Sequence, residues 1–161
     1  MNNYLIEGLS GTGKTAVCNE LKKRGYASIE ADDAFGFYGD IKTGLPTEEK
    51  SQLNWLWDKK KIDAALADTT APTFVCGGAM NQHELTHYFK KTFTLVVGDE
   101  TLKHRLSTRT NNDFGKHPED LARQLEWNKG AVAYAQQRGT IVIDASQPLD
   151  SVVDTILTYI E

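Results

Sequence analysis

Short apolar runs alternate with longer amphipathic stretches along the whole chain. Residues 4–6, 26–30, 73–76, 92–97 and 140–143 read as strands. Between them, residues 14–24, 47–67, 81–90, 99–108, 118–138 and 148–160 read as helices. The last of these has the clearest helical period, with Leu149, Val152, Val153, Ile156, Leu157 and Ile160 on one stripe. Pro118 followed by Glu119 and Asp120 marks a helix start, and Gly139 a stop. Strands alternating with helices predict an α/β fold, a parallel sheet covered on both faces. Two segments, 33–46 and 109–117, break the alternation. Both emerge beyond the carboxyl ends of strands, the edge where open α/β sheets bind ligands, and both read as mobile cover.

One such edge carries Gly8-Leu9-Ser10-Gly11-Thr12-Gly13-Lys14-Thr15, a complete G-x-x-x-x-G-K-[ST] loop between the first strand and the first helix. Gly8, Gly11 and Gly13 let the backbone curl so that N–H groups, including those of Ser10 and Thr12, converge on phosphate oxygens at the positive end of the helix. Lys14 would reach the β- and γ-phosphates, and the Thr15 hydroxyl would complete a Mg²⁺ shell. The pattern predicts binding of ATP with Mg²⁺.

Other residues converge on the same edge. Asp32 and Asp33 directly follow the second strand, where a carboxylate can orient or deprotonate an acceptor, or hold Mg²⁺ through water. The competing reading is a pair of helix-capping residues. Arg105 and Arg109, four apart, share a helix face leading into the polar segment, where guanidinium forks can stabilise a transferring phosphoryl group. Arg123, on the next helix, can reach the same place. Gly77-Gly78 after the third strand admit a ligand close to the backbone, with Asn81 and Gln82 adding amides. Trp55 and Trp57, on the predicted 47–67 helix, would point to different sides, one walling a pocket. His83-Glu84-Leu85-Thr86-His87 matches the H-E-x-x-H zinc signature, but Phe93 stands where the extended form needs a third His. The segment reads as a connecting helix.

Composition narrows the classes. At 161 residues, one domain buries about 70% of its unfolded surface. The net charge of −4, with only short basic triplets, disfavours nucleic acid. No apolar run approaches a bilayer-spanning length and no signal-peptide pattern opens the chain, so a cytoplasmic location without membrane association is expected. Cys18 and Cys76 read as buried free thiols.

These residues together make the chain resemble the small P-loop kinases of the adenylate kinase and shikimate kinase superfamily, over nearly its whole length. The resemblance implies a P-loop NTPase three-layer sandwich, a five-stranded parallel sheet of order 2-3-1-4-5, an acceptor-side segment at about 33–68 and a small lid at about 109–118, within one domain. Asp32 matches the acidic residue that shikimate kinases use near the acceptor hydroxyl, and Gly77-Gly78 their glycine cluster. Arg105 to Arg109 is similar to the R-x-x-x-R run entering the adenylate kinase lid, where the first Arg packs on adenine. The turn 144–148, ending at Pro148, resembles the one that contacts the adenine ring. The resemblance departs in one respect. Residues 31–53 contain no Arg and only Lys42 and Lys50, against Asp32, Asp33, Asp40, Glu48 and Glu49, so an acceptor phosphate is poorly matched there. Phe35, Phe37 and Tyr38 add aromatic surface. The expected acceptor is a neutral or cationic ring-bearing molecule with a free hydroxyl, such as a nucleoside, sugar or antibiotic, taken up by a monomer or weak homodimer. Two alternatives remain: a nucleoside monophosphate as acceptor, and a nucleotide-binding sensor with slow ATPase activity.

Overall fold

A computed structural model describes residues 2–67, 69–110 and 116–160. Strand β1 (Asn3–Gly8) runs into the phosphate loop and helix α1 (Lys14–Lys23). Next come β2 (Ala27–Glu30), the short helix α2 (Ala31–Phe35), β3 (Gly36–Tyr38), β4 (Trp55–Trp57) and α3 (Lys59–Leu66). After these lie β5 (Thr73–Cys76), a 3-10 helix (Gln82–Tyr88), β6 (Lys91–Val96) and α4 (Asp99–Thr108). The chain closes with α5 (Pro118–Gln137), β7 (Ile141–Asp144) and α6 (Leu149–Leu157).

The main sheet is parallel, in the order β2-β5-β1-β6-β7. Counted along the chain this differs from 2-3-1-4-5, because β3 and β4 intervene and pair antiparallel in a hairpin of their own. Set that pair aside and the five sheet strands keep the expected relative places. Alternation along β1 divides the interior into two cores. Tyr4 and Ile6 pack with Val17 and Leu21 of α1, Leu102 and Leu106 of α4, and Val153 and Ile156 of α6. Leu5 faces the other way, toward Phe35 of α2 and Ile62 and Leu66 of α3. Helices therefore cover both faces.

Several expectations fail, for identifiable reasons. The 47–67 helix is confined to α3, which begins where the Asp58 side chain accepts hydrogen bonds from the backbone N–H groups of Lys60 and Lys61. Its predicted first half holds β4 instead, since aromatic Trp55 and Trp57 favour a pleated surface. Much of 33–46 is not irregular cover, because α2 and β3 order its first part. Asp40 turns the next part, accepting from the backbone N–H groups of Lys42 and Thr43 at 2.8 Å each. The 81–90 helix is of 3-10 type. Of the expected lid, residues 111–115 lie outside the described residues.

Cys18 and Cys76 are buried free thiols bridged by the Ser28 hydroxyl, 3.0 Å from Cys18 Sγ and 3.7 Å from Cys76 Sγ. Their mutual hydrogen bond lowers the Cys18 thiol to about 7 and, with burial, raises that of Cys76. No helix among the described residues is long and apolar enough to cross a membrane.

Candidate active site

The phosphate loop is held open by its glycines. Gly13, the N-cap of α1, sits at φ 105°, a conformation that side chains other than hydrogen rarely adopt. A Cβ on Gly8 would stand 2.6 Å from the Thr12 hydroxyl and 2.8 Å from the Leu95 carbonyl oxygen. Thr12 is itself buried, and its hydroxyl donates to the Leu9 carbonyl at 2.8 Å, so its side chain builds the loop. Lys14 Nζ folds over the loop and donates to the carbonyls of Gly8 at 2.7 Å and Leu9 at 2.9 Å. Burial lowers its pKa, partly offset by the Asp32 carboxylate. A desolvated ammonium beside backbone N–H groups is a donor set suited to phosphate. Thr15 is exposed in the first turn of α1. Among the described residues no group of three or more His, Cys, Asp or Glu side chains gathers as a metal site. The Thr15 hydroxyl is a hard oxygen of the kind Mg²⁺ takes beside its waters and substrate phosphates.

Opposite Lys14, the chain passes from β2 directly into α2 and delivers Asp32 to the same space. Trp55 Nε1 and Trp57 Nε1 both donate to Asp32 Oδ1, at 3.1 and 3.0 Å. Residues two apart on a strand share a face, so both indole N–H groups reach Asp32, while Trp55 walls the cleft and Trp57 packs in the second core. Gly77 makes room for this cluster. A Cβ there would lie 2.9 Å from the Trp57 ring, 3.0 Å from Ala31 Cβ and 3.1 Å from Asp32 Oδ1.

A cleft of about 1280 Å³ opens between these groups and α5. Ser10, Lys14, Asp32, Asp33, Tyr38, Trp55, Gly78 and Arg123 all line it. Other expected acceptor residues do not, Phe37 and Gly77 among them. Phe35 is buried among α3 side chains in the second core. Asn81 is a buried clamp whose amide donates to the Trp57 carbonyl and accepts from the Trp57 N–H, both at 3.0 Å. Asp40 is spent on its turn.

Arg105 and Arg109 have different surroundings. The Arg105 guanidinium donates to the carbonyls of Thr12 (3.3 Å), Gly11 (3.5 Å) and Ala145 (3.1 Å), tying the phosphate loop to the turn before α6. Pro148 caps that helix at the end of the same turn. Arg109 donates to the Ser10 hydroxyl at 2.9 Å, and burial lowers its pKa.

Residues outside the sequence reading, together with the expected Gln82, complete the cleft. Glu7, buried at the end of β1, forms a two-pronged ion pair with Arg138 at the C-cap of α5, at 2.9 and 3.0 Å. Thr94 donates to the same carboxylate at 2.7 Å, as does Gln82. A lone carboxylate in a strand buried on both faces is the signal that would have found it. Trp127 and Tyr134 project from α5 into the cleft. The H-E-x-x-H segment takes no comparable part. Side chains three apart eclipse on a 3-10 helix, so His83 and His87, four apart, point in different directions. Glu84 pairs with Lys59, and His87 lies tilted against Tyr88 with centroids 4.1 Å apart.

Fold and loop together define a P-loop α/β protein with the fold of the small-molecule P-loop kinases. A family model described as the AAA domain (AAA_18) matches residues 5–126, and the chain belongs to that family. Among solved structures, a sugar kinase from Janibacter sp. HTCC2649 is 18% identical, with 99% of this chain and 94% of that one covered at a TM-score of 0.60. A shikimate kinase from Bacteroides thetaiotaomicron is 15% identical, with 97% and 96% covered at 0.62. A deoxyadenosine kinase from M. mycoides, with bound dATP, is also 15% identical, with 97% of each chain covered at 0.61. No curated protein matches.

Proposed function

We propose that this protein is an ATP- and Mg²⁺-dependent phosphotransferase that moves the γ-phosphoryl group to a hydroxyl of a small, ring-bearing molecule. The observation that carries this reading is the Asp32 carboxylate, fixed by two indole N–H donors on the wall of a cleft that also contains Lys14. A kinase needs a positioned carboxylate where the acceptor oxygen arrives. In this reading the loop N–H groups and Lys14 bind the β- and γ-phosphates, and Asp32 orients the acceptor hydroxyl and takes its proton. The acceptor oxygen attacks the γ-phosphorus as the bond to the β–γ bridging oxygen breaks, leaving ADP. Mg²⁺ would be held by the phosphates and the Thr15 hydroxyl, with Asp32 within reach through water, and would supply charge neutralisation. Arg109 is assigned to the transferring group, Arg105 to holding the loop, and Pro148 to the adenine side. Asp33, Trp55, Gly78 and Arg123 are assigned to the acceptor.

A hydroxyl is favoured over a phosphate because the two arginines facing the cleft are engaged. Arg138 is locked by Glu7, and Arg123 lies 3.7 Å from Asp120. The kinases of similar fold act on a sugar, shikimate and deoxyadenosine, which supports small hydroxylated acceptors. The test is ADP release from MgATP with nucleosides, sugars and aminosugars set against nucleoside monophosphates. Stimulation by a hydroxyl compound is expected. Turnover with a monophosphate at ordinary kinase rates, about 1–100 per second, overturns the assignment of acceptor group.

A further inference from the structure

Gln124 of α5 is fully buried and joins three parts of the site. The backbone N–H of Ser10, in the phosphate loop, donates to Gln124 Oε1 at 3.1 Å. Gln124 Nε2 then donates to Gln52 Oε1, also at 3.1 Å. A backbone N–H can only donate, so the Gln124 oxygen must face Ser10 and its amide nitrogen must face Gln52. That nitrogen can also only donate, so Gln52 must turn its own oxygen toward it. Two amide orientations are thereby fixed in sequence from one main-chain group. What remains of Gln52 is its NH₂ group, which donates to no protein atom among the described residues. Gln52 lines the cleft, one turn before Trp55 and on the wall with Tyr38 and Asp32.

We propose that Gln52 is a specificity-determining residue that donates a hydrogen bond to a carbonyl oxygen on the ring of the acceptor, and that Gln124 is the positioning residue that sets this polarity. The word acceptor rests on the kinase reading; the polarity of the cleft does not. The aromatic side chains of Trp55, Tyr38 and Trp127 suit a flat ring, and the Gln52 amide reads its edge. Gln124→Glu keeps an oxygen for the Ser10 N–H but removes the donor to Gln52. Gln52 then reverses, pointing its NH₂ at the new carboxylate and its oxygen into the cleft. A residue that touches no ligand thus inverts the preference.

The experiment is side-chain amide NMR with solvent-exchange measurement on the MgADP-loaded protein, its Gln124→Glu form and its Gln52→Glu form. The probes are uridine against cytidine and inosine against adenosine, pairs that exchange a carbonyl for an amino group. In the wild type, the Gln124 NH₂ pair exchanges slowly and the Gln52 pair fast. Only the Gln52 pair shifts with probe, and carbonyl members bind roughly tenfold more tightly than amino members. In Gln124→Glu the Gln52 pair becomes protected and the order reverses; in Gln52→Glu the order also reverses. Equal protection of both pairs in the wild type, a Gln52 pair unmoved by all four probes, or an unchanged order in the folded variants overturns the proposal. The kinase reading is tested separately, by ADP formation from MgATP with the wider panel of nucleosides, sugars and aminosugars; its absence with all of them, beside the expected amide signature, overturns the kinase reading alone.

Discussion

At Asp32 a single carboxylate oxygen takes two indole N–H groups, which fixes the side chain without requiring its charge. Asp32→Asn can keep both hydrogen bonds through its amide oxygen. It should therefore leave the fold and the stabilisation by MgATP intact while lowering kcat by about 10² to 10⁴, the usual contribution of a positioned base. Thermal melts with and without MgATP, beside ADP release, check both halves; a variant with normal turnover excludes Asp32 as the base. Lys14→Ala should do the reverse at the binding step. MgATP raises the melting temperature by mass action, and losing the ammonium should remove most of that rise while the apo protein stays folded. That Lys14 and Asp32 stand on one cleft was legible in the sequence because their context is local: a loop with fixed spacing, and a carboxylate directly after a strand. The helix expected around the two tryptophans is a strand, which lets both indoles reach Asp32, yet one still walls the cleft while Trp57 packs in the second core. Gln52 and Gln124 gave no sequence signal at all. They lie 72 positions apart and meet only in the fold.

Between elements, the Glu7–Arg138 pair fastens the end of α5 to β1 beside the phosphate loop. Removing one partner leaves a largely buried charge without its counterion. Glu7→Leu should destabilise the protein by about 3 kcal/mol in urea unfolding, and adding Arg138→Met should recover most of the loss. A single variant within a few tenths of the wild type would show that the pair contributes no net stability. Packing at Gly77 sets a second limit. An added methyl meets the Trp57 ring and Ala31 at 2.9 to 3.0 Å, so Gly77→Ala should cost roughly 1–3 kcal/mol. It should also disturb the indole contacts to Asp32, visible as a change in tryptophan fluorescence. Strands and long helices were readable from periodicity, and α6 was the plainest. The 3-10 character of Gln82–Tyr88 was not, because a short segment shows too few turns to separate periods of 3.0 and 3.6.

Across the molecule, five parallel strands bring the phosphate loop, Asp32 and Gly78 to one edge, with α5 forming the far wall of the cleft. The alternation of strands and helices dictated that arrangement, since parallel strands need crossover helices and so end their connections on the same side. The β3–β4 hairpin escaped the sequence reading because both of its strands are three residues long and pair only with each other. It nevertheless supplies Tyr38 and Trp55 to the cleft. The central claim is group transfer from ATP to a hydroxyl in that cleft. Mass spectrometry tests it most directly, with MgATP, the protein and a pooled set of nucleosides, sugars and aminosugars, run beside Asp32→Asn. The account predicts one acceptor gaining a single phosphoryl group in step with ADP formation, and almost none with the variant. ADP formed at the same rate with and without the pool, with no phosphorylated product, would instead identify an ATPase and contradict the account.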